Sequence, residues 1–188
     1  MNRYIIGVLA CIGLAILLII LLFTGGHKAA TPTHTGVQTM LLPDYSSTSA
    51  DVKMVIDGPI TAPQTHNSVV VTVSQSDIDF QLIQGYDGDV ISSKIFNNSQ
   101  NSFYNFLAAI YYAGYSDGGK VNYTTDAGLC ALGERYDFYL TENGQNLQHY
   151  WATSCGGPKS YDGNLAQTLT LFQRQVPNYG QLLNNANI

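Results

Sequence analysis

From Tyr4 to Phe23 the chain runs without one charged side chain, and Arg3 stands immediately before the run. A stretch of that length matches a single transmembrane helix, which needs about 20 apolar residues to cross a hydrocarbon core of roughly 30 Å. A cleavable secretory signal is the main rival. Its apolar core usually spans about 7–15 residues and ends in a small-residue Ala-x-Ala site. Here the run is longer, and Thr24-Gly25-Gly26-His27-Lys28 offers no such site. Val8-Leu9-Ala10-Cys11 has a trace of a lipoprotein processing site, but a cut there would fall inside the helix. The reading is a retained signal anchor over residues 4–24, preceded by a cytoplasmic N-terminus of residues 1–3.

Gly7, Cys11 and Ala15 recur at helical spacing within this run. Such a stripe of small residues lets helix backbones approach closely, which makes it a candidate helix-pairing face and a route to a homo-oligomer. Small residues are also simply common in membrane helices. Positive charge near the two ends, Arg3 against Lys28, sets only a slight orientation bias. The cysteines favour one direction. Cys130 and Cys155 lie far beyond the anchor, and disulfides persist outside the reducing cytosol. The expectation is a single-pass protein of the cell membrane, N-terminus inside and C-terminal domain outside, with the lipid bilayer as its first partner.

All thirteen acidic residues lie beyond residue 40, against six cations there: Lys53, Lys94, Lys120, Arg135, Lys159 and Arg174. This part is net acidic and carries no basic stripe of the kind phosphate contacts require, so nucleic acid is excluded as an expected partner. Residues 25–50 are rich in Thr, Ser, Gly and Pro and sustain no helical or strand period, which predicts a flexible tether. Residues 51–188 then supply one domain's worth of chain.

Within that domain, Val52 to Ile56, Val69-Val71-Val73, Ile78-Phe80-Leu82 and Val90 to Phe96 predict strands, with Asp57-Gly58-Pro59 and Asp87-Gly88 as turns. Phe103, Phe106, Leu107, Ile110 and Tyr111 form an apolar stripe of helical period, with Asn101 or Ser102 as the expected N-cap and Gly114 as the end. Tyr136-Phe138-Leu140 alternates toward Asn143-Gly144, a strong hairpin signal, and Leu147-His149-Trp151 returns. Leu165, Leu169, Phe172 and Val176 share the face of a second helix stopped by Pro177. The order strands, helix, hairpin, helix predicts an α+β fold: an antiparallel sheet with both helices on one face.

A two-residue turn at Asn143-Gly144 places Cys130 opposite position 157, close enough to Cys155 for a bridge. The alternative is a nucleophilic Cys155 served by His149; a packed or edge histidine is the plainer reading, and a Cys130–Cys155 disulfide is expected. The four histidines show no metal-ligand spacing, so no metal and no cofactor are expected. Asp87-Gly88-Asp89 has some calcium-ligand character but lacks the other liganding positions, and turn chemistry explains it. Asn97-Asn98-Ser99 and Asn122-Tyr123-Thr124 are glycosylation acceptors only in a host that modifies them. Thirteen tyrosines exceed what one core can bury. Tyr111, Tyr112, Tyr115, Tyr150 and Tyr161 are read as amphipathic filler, with a recognition surface as the alternative.

Asp57-Gly58-Pro59-Ile60, Gly85-Tyr86, Arg135-Tyr136, Trp151-Ala152-Thr153-Ser154-Cys155-Gly156-Gly157, Gly163-Asn164 and Leu171-Phe172 together carry a resemblance. The chain resembles a family of small membrane-anchored exported proteins of reduced-genome bacteria. That resemblance spans nearly the whole domain and implies location rather than chemistry. The last hairpin, with Cys130, Tyr136, Leu140-Thr141, Gly144 and Cys155, is also similar to that of the bacterial subtilisin inhibitors. This second likeness implies an inhibitory loop at Ala131, Leu132 and Gly133, although the family's second disulfide has no counterpart here.

The leading expectation is a tethered, non-catalytic module that binds another protein or a glycan outside the cell. A secreted-type serine protease inhibitor is the first alternative, and a cell-envelope enzyme the second.

Overall fold

A computed structural model describes residues 40–119 and 125–184. The anchor at residues 4–24 and its Gly7, Cys11, Ala15 face lie outside the described residues. Among the described residues no helix is long and apolar enough to cross a membrane.

A compact unit starts at Met40. Its first element is a 3-10 helix, Leu42–Ser47, opened by Pro43 and burying Leu42 and Ser46. Pro suits the first turn because its missing N–H would have no partner there. Residues 42–50 are therefore folded, and the expected tether gives way to the domain before residue 50.

Six strands follow: β1 (Ala50–Asp57), β2 (Asn67–Ser74), β3 (Asp77–Gln84), β4 (Asp89–Asn97), β5 (Arg135–Glu142) and β6 (Gln145–Thr153). They form one antiparallel sheet in the order β4-β3-β2-β1-β5-β6. The fold is α+β, as the element order predicts. A four-strand meander comes first, and the β5-β6 hairpin then docks on the free edge of β1.

The register assigns the faces. Met54 lies between Val71 and Phe138, and Val71 faces Phe80 in turn. Those four are fully buried, as are Val52, Val69 and Val73 on the same face. Helix α1 (Gln100–Tyr112) brings Phe103, Phe106, Leu107 and Ile110 to this core, and α2 (Leu165–Gln175) brings Phe172. Phe106 meets Phe172 edge-on at 5.1 Å between centroids, and Phe138 lies 4.6 Å from Tyr161. Buried aromatic pairs of this kind add to the area they remove from water.

The local signals act mostly as expected. Ser99 is the N-cap of α1, accepting from the Ser102 amide at 3.2 Å; the cap falls two or three residues before the expected Asn101 or Ser102. Gly114 follows α1 with φ +80°, the left-handed conformation that favours glycine after a helix. Asn164 caps α2 through its side chain.

Asn143 and Gly144 both have positive φ, as the twisted two-residue hairpin turn requires. A bulge between Leu140 and Thr141 then shifts the hairpin by one residue, so Tyr136 faces Ala152. Cys130 and Cys155 still meet, with Cα atoms 5.6 Å apart, and form the disulfide.

Tyr115 and Tyr161 are buried, whereas Tyr112 is 85% exposed. The Tyr115 hydroxyl donates to the Tyr139 carbonyl at 2.7 Å, which satisfies its polar end inside the core. The tyrosines thus divide between core and surface.

Candidate functional site

Antiparallel pairing brings four connections to one end of the sheet: residues 58–66, residues 85–88, residues 125–134 and residues 154–159. The last cross-strand row beneath them reads Thr153, Arg135, Asp57, Ser68, Ile83, Val90. This row lies on the face opposite the core. Strand alternation puts Arg135 and Asp57 there, because their neighbours Tyr136 and Ile56 point inward.

Arg135 is the hub of the row. Its Nε donates to Asp57 Oδ2 at 3.1 Å, its Nη2 bonds the same carboxylate, and Nη2 also donates to the Gly58 carbonyl at 3.0 Å. Asp126 Oδ2 lies 3.6 Å from the same Nε. His66 is buried, with Nε2 2.9 Å from Asp57 Oδ1 and Nδ1 2.9 Å from the Pro59 carbonyl. The Ser68 hydroxyl donates to Asp57 Oδ1 at 2.5 Å. Burial raises the Asp57 pKa, but the Arg135 and Ser68 hydrogen bonds and the Arg135 and His66 charges outweigh it. The carboxyl is held below its ordinary value.

Ser68, His66 and Asp57 are the residue types of an acyl-transfer triad, in a different arrangement. His66 Nε2 faces the carboxylate and Nδ1 a backbone carbonyl, while Ser68 Oγ gives its proton to Asp57. A triad needs the histidine between acid and nucleophile, with the hydroxyl exposed to substrate. Here serine and histidine are both buried, and the cluster acts as a brace.

What it braces is the loops. Tyr86 stacks on His66 at 4.2 Å, and its hydroxyl donates to the Thr61 carbonyl while accepting from the Thr61 amide. The Ile60 amide donates to the Ala131 carbonyl at 2.8 Å, joining the first loop to the third. The Ser154 amide donates to the Glu134 carbonyl, and Ser154 Oγ accepts from the Glu134 amide, both at 2.9 Å. The Cys130–Cys155 disulfide closes the set.

Ala131, Leu132 and Gly133 therefore sit on a fastened turn. The Gly133 amide donates to the Cys130 carbonyl at 3.0 Å, and Cys130 has φ +50°. Gly133 is the residue that fits, because a Cβ there would lie 2.5 Å from Ser154 Oγ and 2.6 Å from Cys130 Sγ. Leu132, at the tip, is 91% exposed. Ile60 and Tyr86 are exposed on the neighbouring loops, and so are the carboxylates of Asp87 and Asp89.

The disulfide and the Ala131–Gly133 tip were nominated from sequence, and both lie at this end. The brace was not. Asp57 was read as a turn residue, and together with Tyr86 and Arg135 it carried the resemblance; the three converge here from separate segments of the chain. Ser68 and Asp126 gave no local signal. His149, the nominated base for Cys155, instead pairs with Asp137 at 2.6 Å and stacks on Tyr139 at 4.3 Å. Cys155 is in the disulfide. Among the described residues no cluster of three or more potential metal ligands occurs.

No family model, no curated protein and no solved structure matches the chain.

Proposed function

We propose that the chain is a membrane-tethered, non-catalytic binding module, held by the helix of residues 4–24 and presenting its α+β domain outside the cell. The loop end of the sheet is its recognition surface. One observation carries this reading: a fully offered leucine, Leu132, stands on a turn fixed by a disulfide and by hydrogen bonds from two neighbouring segments. An ordered tip loses little freedom on binding, so preorganisation of this kind converts contact into affinity. Exposed Ile60 and Tyr86 extend the apolar area, and Asp87 and Asp89 give it an acidic border. The partner that fits is a protein with an apolar pocket flanked by cationic side chains.

The inhibitor alternative draws on the same tip, but the turn weighs against it. A segment that occupies a protease cleft in place of substrate must offer its peptide bonds to the enzyme. The Ala131 carbonyl is already bonded to the Ile60 amide, and the segment curls from Cys130 to Gly133.

Residues 40–188 form a compact unit with its own core, so the domain is suited to direct measurement. The test is binding of this fragment to envelope fractions and to the surfaces of neighbouring cells, with the wild type compared against Leu132→Asp. Saturable binding abolished by Leu132→Asp supports the reading. Absence of binding, or binding indifferent to Leu132, ends it. Inhibition of a serine protease by the wild type, lost in Leu132→Asp, would establish the alternative instead.

A further inference from the structure

The two edges of the sheet are treated differently. Beside β6, the chain after the disulfide folds back: the Ser160 and Tyr161 amides donate to the Trp151 carbonyl, and Tyr161 forms a bridge with Gly118. That edge is occupied. At the opposite edge, β4 pairs only with β3 among the described residues. It exposes Val90 and Ile91, each at 50%, and Ile95 at 71%. A long edge strand with apolar side chains and open backbone groups is a template for another strand, and proteins guard such edges with lysine. Lys94 stands in the middle of β4.

A lysine on an edge blocks an uncharged strand but accepts one that brings a carboxylate opposite it. The only acid in β4 is Asp89. A bulge between Leu82 and Ile83 shifts the β3-β4 register, so that Asp89 faces Gln84 while Lys94 faces Phe80. Gln84 and Phe80 share a face of β3, and therefore Asp89 and Lys94 share a face of β4 despite their odd separation. An antiparallel pair of β4 strands about a two-fold axis at Ile91-Ser92 places Asp89 of each copy across from Lys94 of the other. In that register Val90 lies across from Ser93 and diagonal to Ile95, within reach of an apolar contact on the opposite face.

We propose that β4 is a self-pairing edge, through which two copies of the domain join into one continuous twelve-stranded sheet. The charge pattern selects the occupant. Sliding either strand to bring Lys94 against Lys94 costs like-charge repulsion, and a foreign strand must supply its own carboxylate at the matching position. Pairing and the loop-end surface share Asp89, whereas Lys94 belongs to the pairing edge alone.

The experiment uses the full chain in detergent micelles and, in parallel, residues 40–188, both followed by sedimentation velocity across a concentration series. The wild type is expected to form dimers. Asp89→Lys and Lys94→Asp each set like charges opposite one another twice per dimer, and should weaken association by about tenfold or more. Mixing the two single variants, or combining both changes in one chain, should restore it. As a second readout, a Val90→Cys/Ser93→Cys chain should form a cross-linked dimer under mild oxidation. These positions are exposed, so thermal melts of the variants should match wild type. A domain that stays monomeric, or an association that ignores both charge reversals, overturns the proposal. The latter result would assign pairing to another surface.

Discussion

The Arg135 guanidinium and the Asp57 carboxylate meet across the β1-β5 pair at the last cross-strand row, although 78 residues separate them in sequence. The Arg135 side chain is 5% exposed and that of Asp57 28%, so the pair is shielded without being sealed. It joins the meander to the docked hairpin and sits directly under the loops that form the proposed recognition surface.

Removing one partner of a shielded ion pair leaves the other without compensation, at a cost of roughly 3–5 kcal/mol. Arg135→Met should cost about 3 kcal/mol, the low end of that range, because Asp57 retains some solvent and its His66 and Ser68 partners. Adding Asp57→Asn to that variant should recover part of the loss. Urea unfolding of the two single variants and the double variant measures the coupling; strict additivity would deny that the two residues act as a pair.

The same pair contributes to the acid limb of stability. The Asp57 pKa is lowered in the folded state below its ordinary value of 3.8. Its contribution is therefore complete above that value and is lost as pH falls through the folded pKa. Asp57→Asn should flatten the slope of stability against pH in this acid window, while costing stability at neutral pH. An unchanged acid slope would remove Asp57 from the account.

At the alkaline end the sign reverses. Burial first, then the nearby Asp137 charge, pushes the Tyr139 hydroxyl from 10.0 up to about 12. Burial does the same at Tyr179, also to about 12. Groups raised in this way stabilise fully below their unfolded pKa, and the contribution disappears as pH rises through the folded value. Stability should thus decline between about pH 10 and 12. Tyrosinate absorbance should show a late phase that moves to lower pH when urea unfolds the domain.

The strands of the meander were legible because valines, Ile78, Phe80 and Leu82 alternate cleanly, and one face of each strand is core. Both helices were legible from their apolar stripes. The docking of β5 on β1 was not, because a long-range strand partner leaves no local mark. That omission hid the brace, since Asp57, His66, Ser68 and Arg135 are neighbours only once β1, β2 and β5 are side by side. The hairpin register failed by one residue at a bulge after Leu140, which alternation of Tyr136, Phe138 and Leu140 does not announce. The disulfide survived that error because loops have slack. The Ser99 cap was passed over for polar neighbours with the same chemistry.

The disulfide fastens a 25-residue separation, for which the chain-entropy model gives about 3–4 kcal/mol. Replacing Cys130 and Cys155 by serine should lower stability by that order while leaving the core intact. Trp151 is the sole tryptophan and is buried, so its fluorescence reports the fold. Native emission at low temperature with a lowered melting point is the expected result. Loss of native emission under all conditions would mean that the bridge is needed to form the core rather than to hold the loop.

The close approach of α1's end to the loop before α2 depends on glycine. A Cβ on Gly163 would lie 2.3 Å from the Gly114 carbonyl oxygen and 2.4 Å from the Tyr161 hydroxyl. Backbone has to move to admit it, and overpacking of this kind costs about 1–3 kcal/mol. Gly163→Ala should lower the melting temperature, whereas Gly180→Ala, where a Cβ meets nothing within 4 Å, should not.

The central claim is that the fastened tip at the loop end does the binding. Its most direct test is the affinity of residues 40–188 for the envelope or cell-surface protein they retain, measured for wild type, Leu132→Asp and Leu147→Asp. Leu147 is also exposed but follows the Asn143-Gly144 turn at the opposite end of the sheet, so it serves as the control. The account predicts that Leu132→Asp abolishes binding with an unchanged melting temperature, and that Leu147→Asp binds as wild type. Equal binding by all three proteins would contradict it.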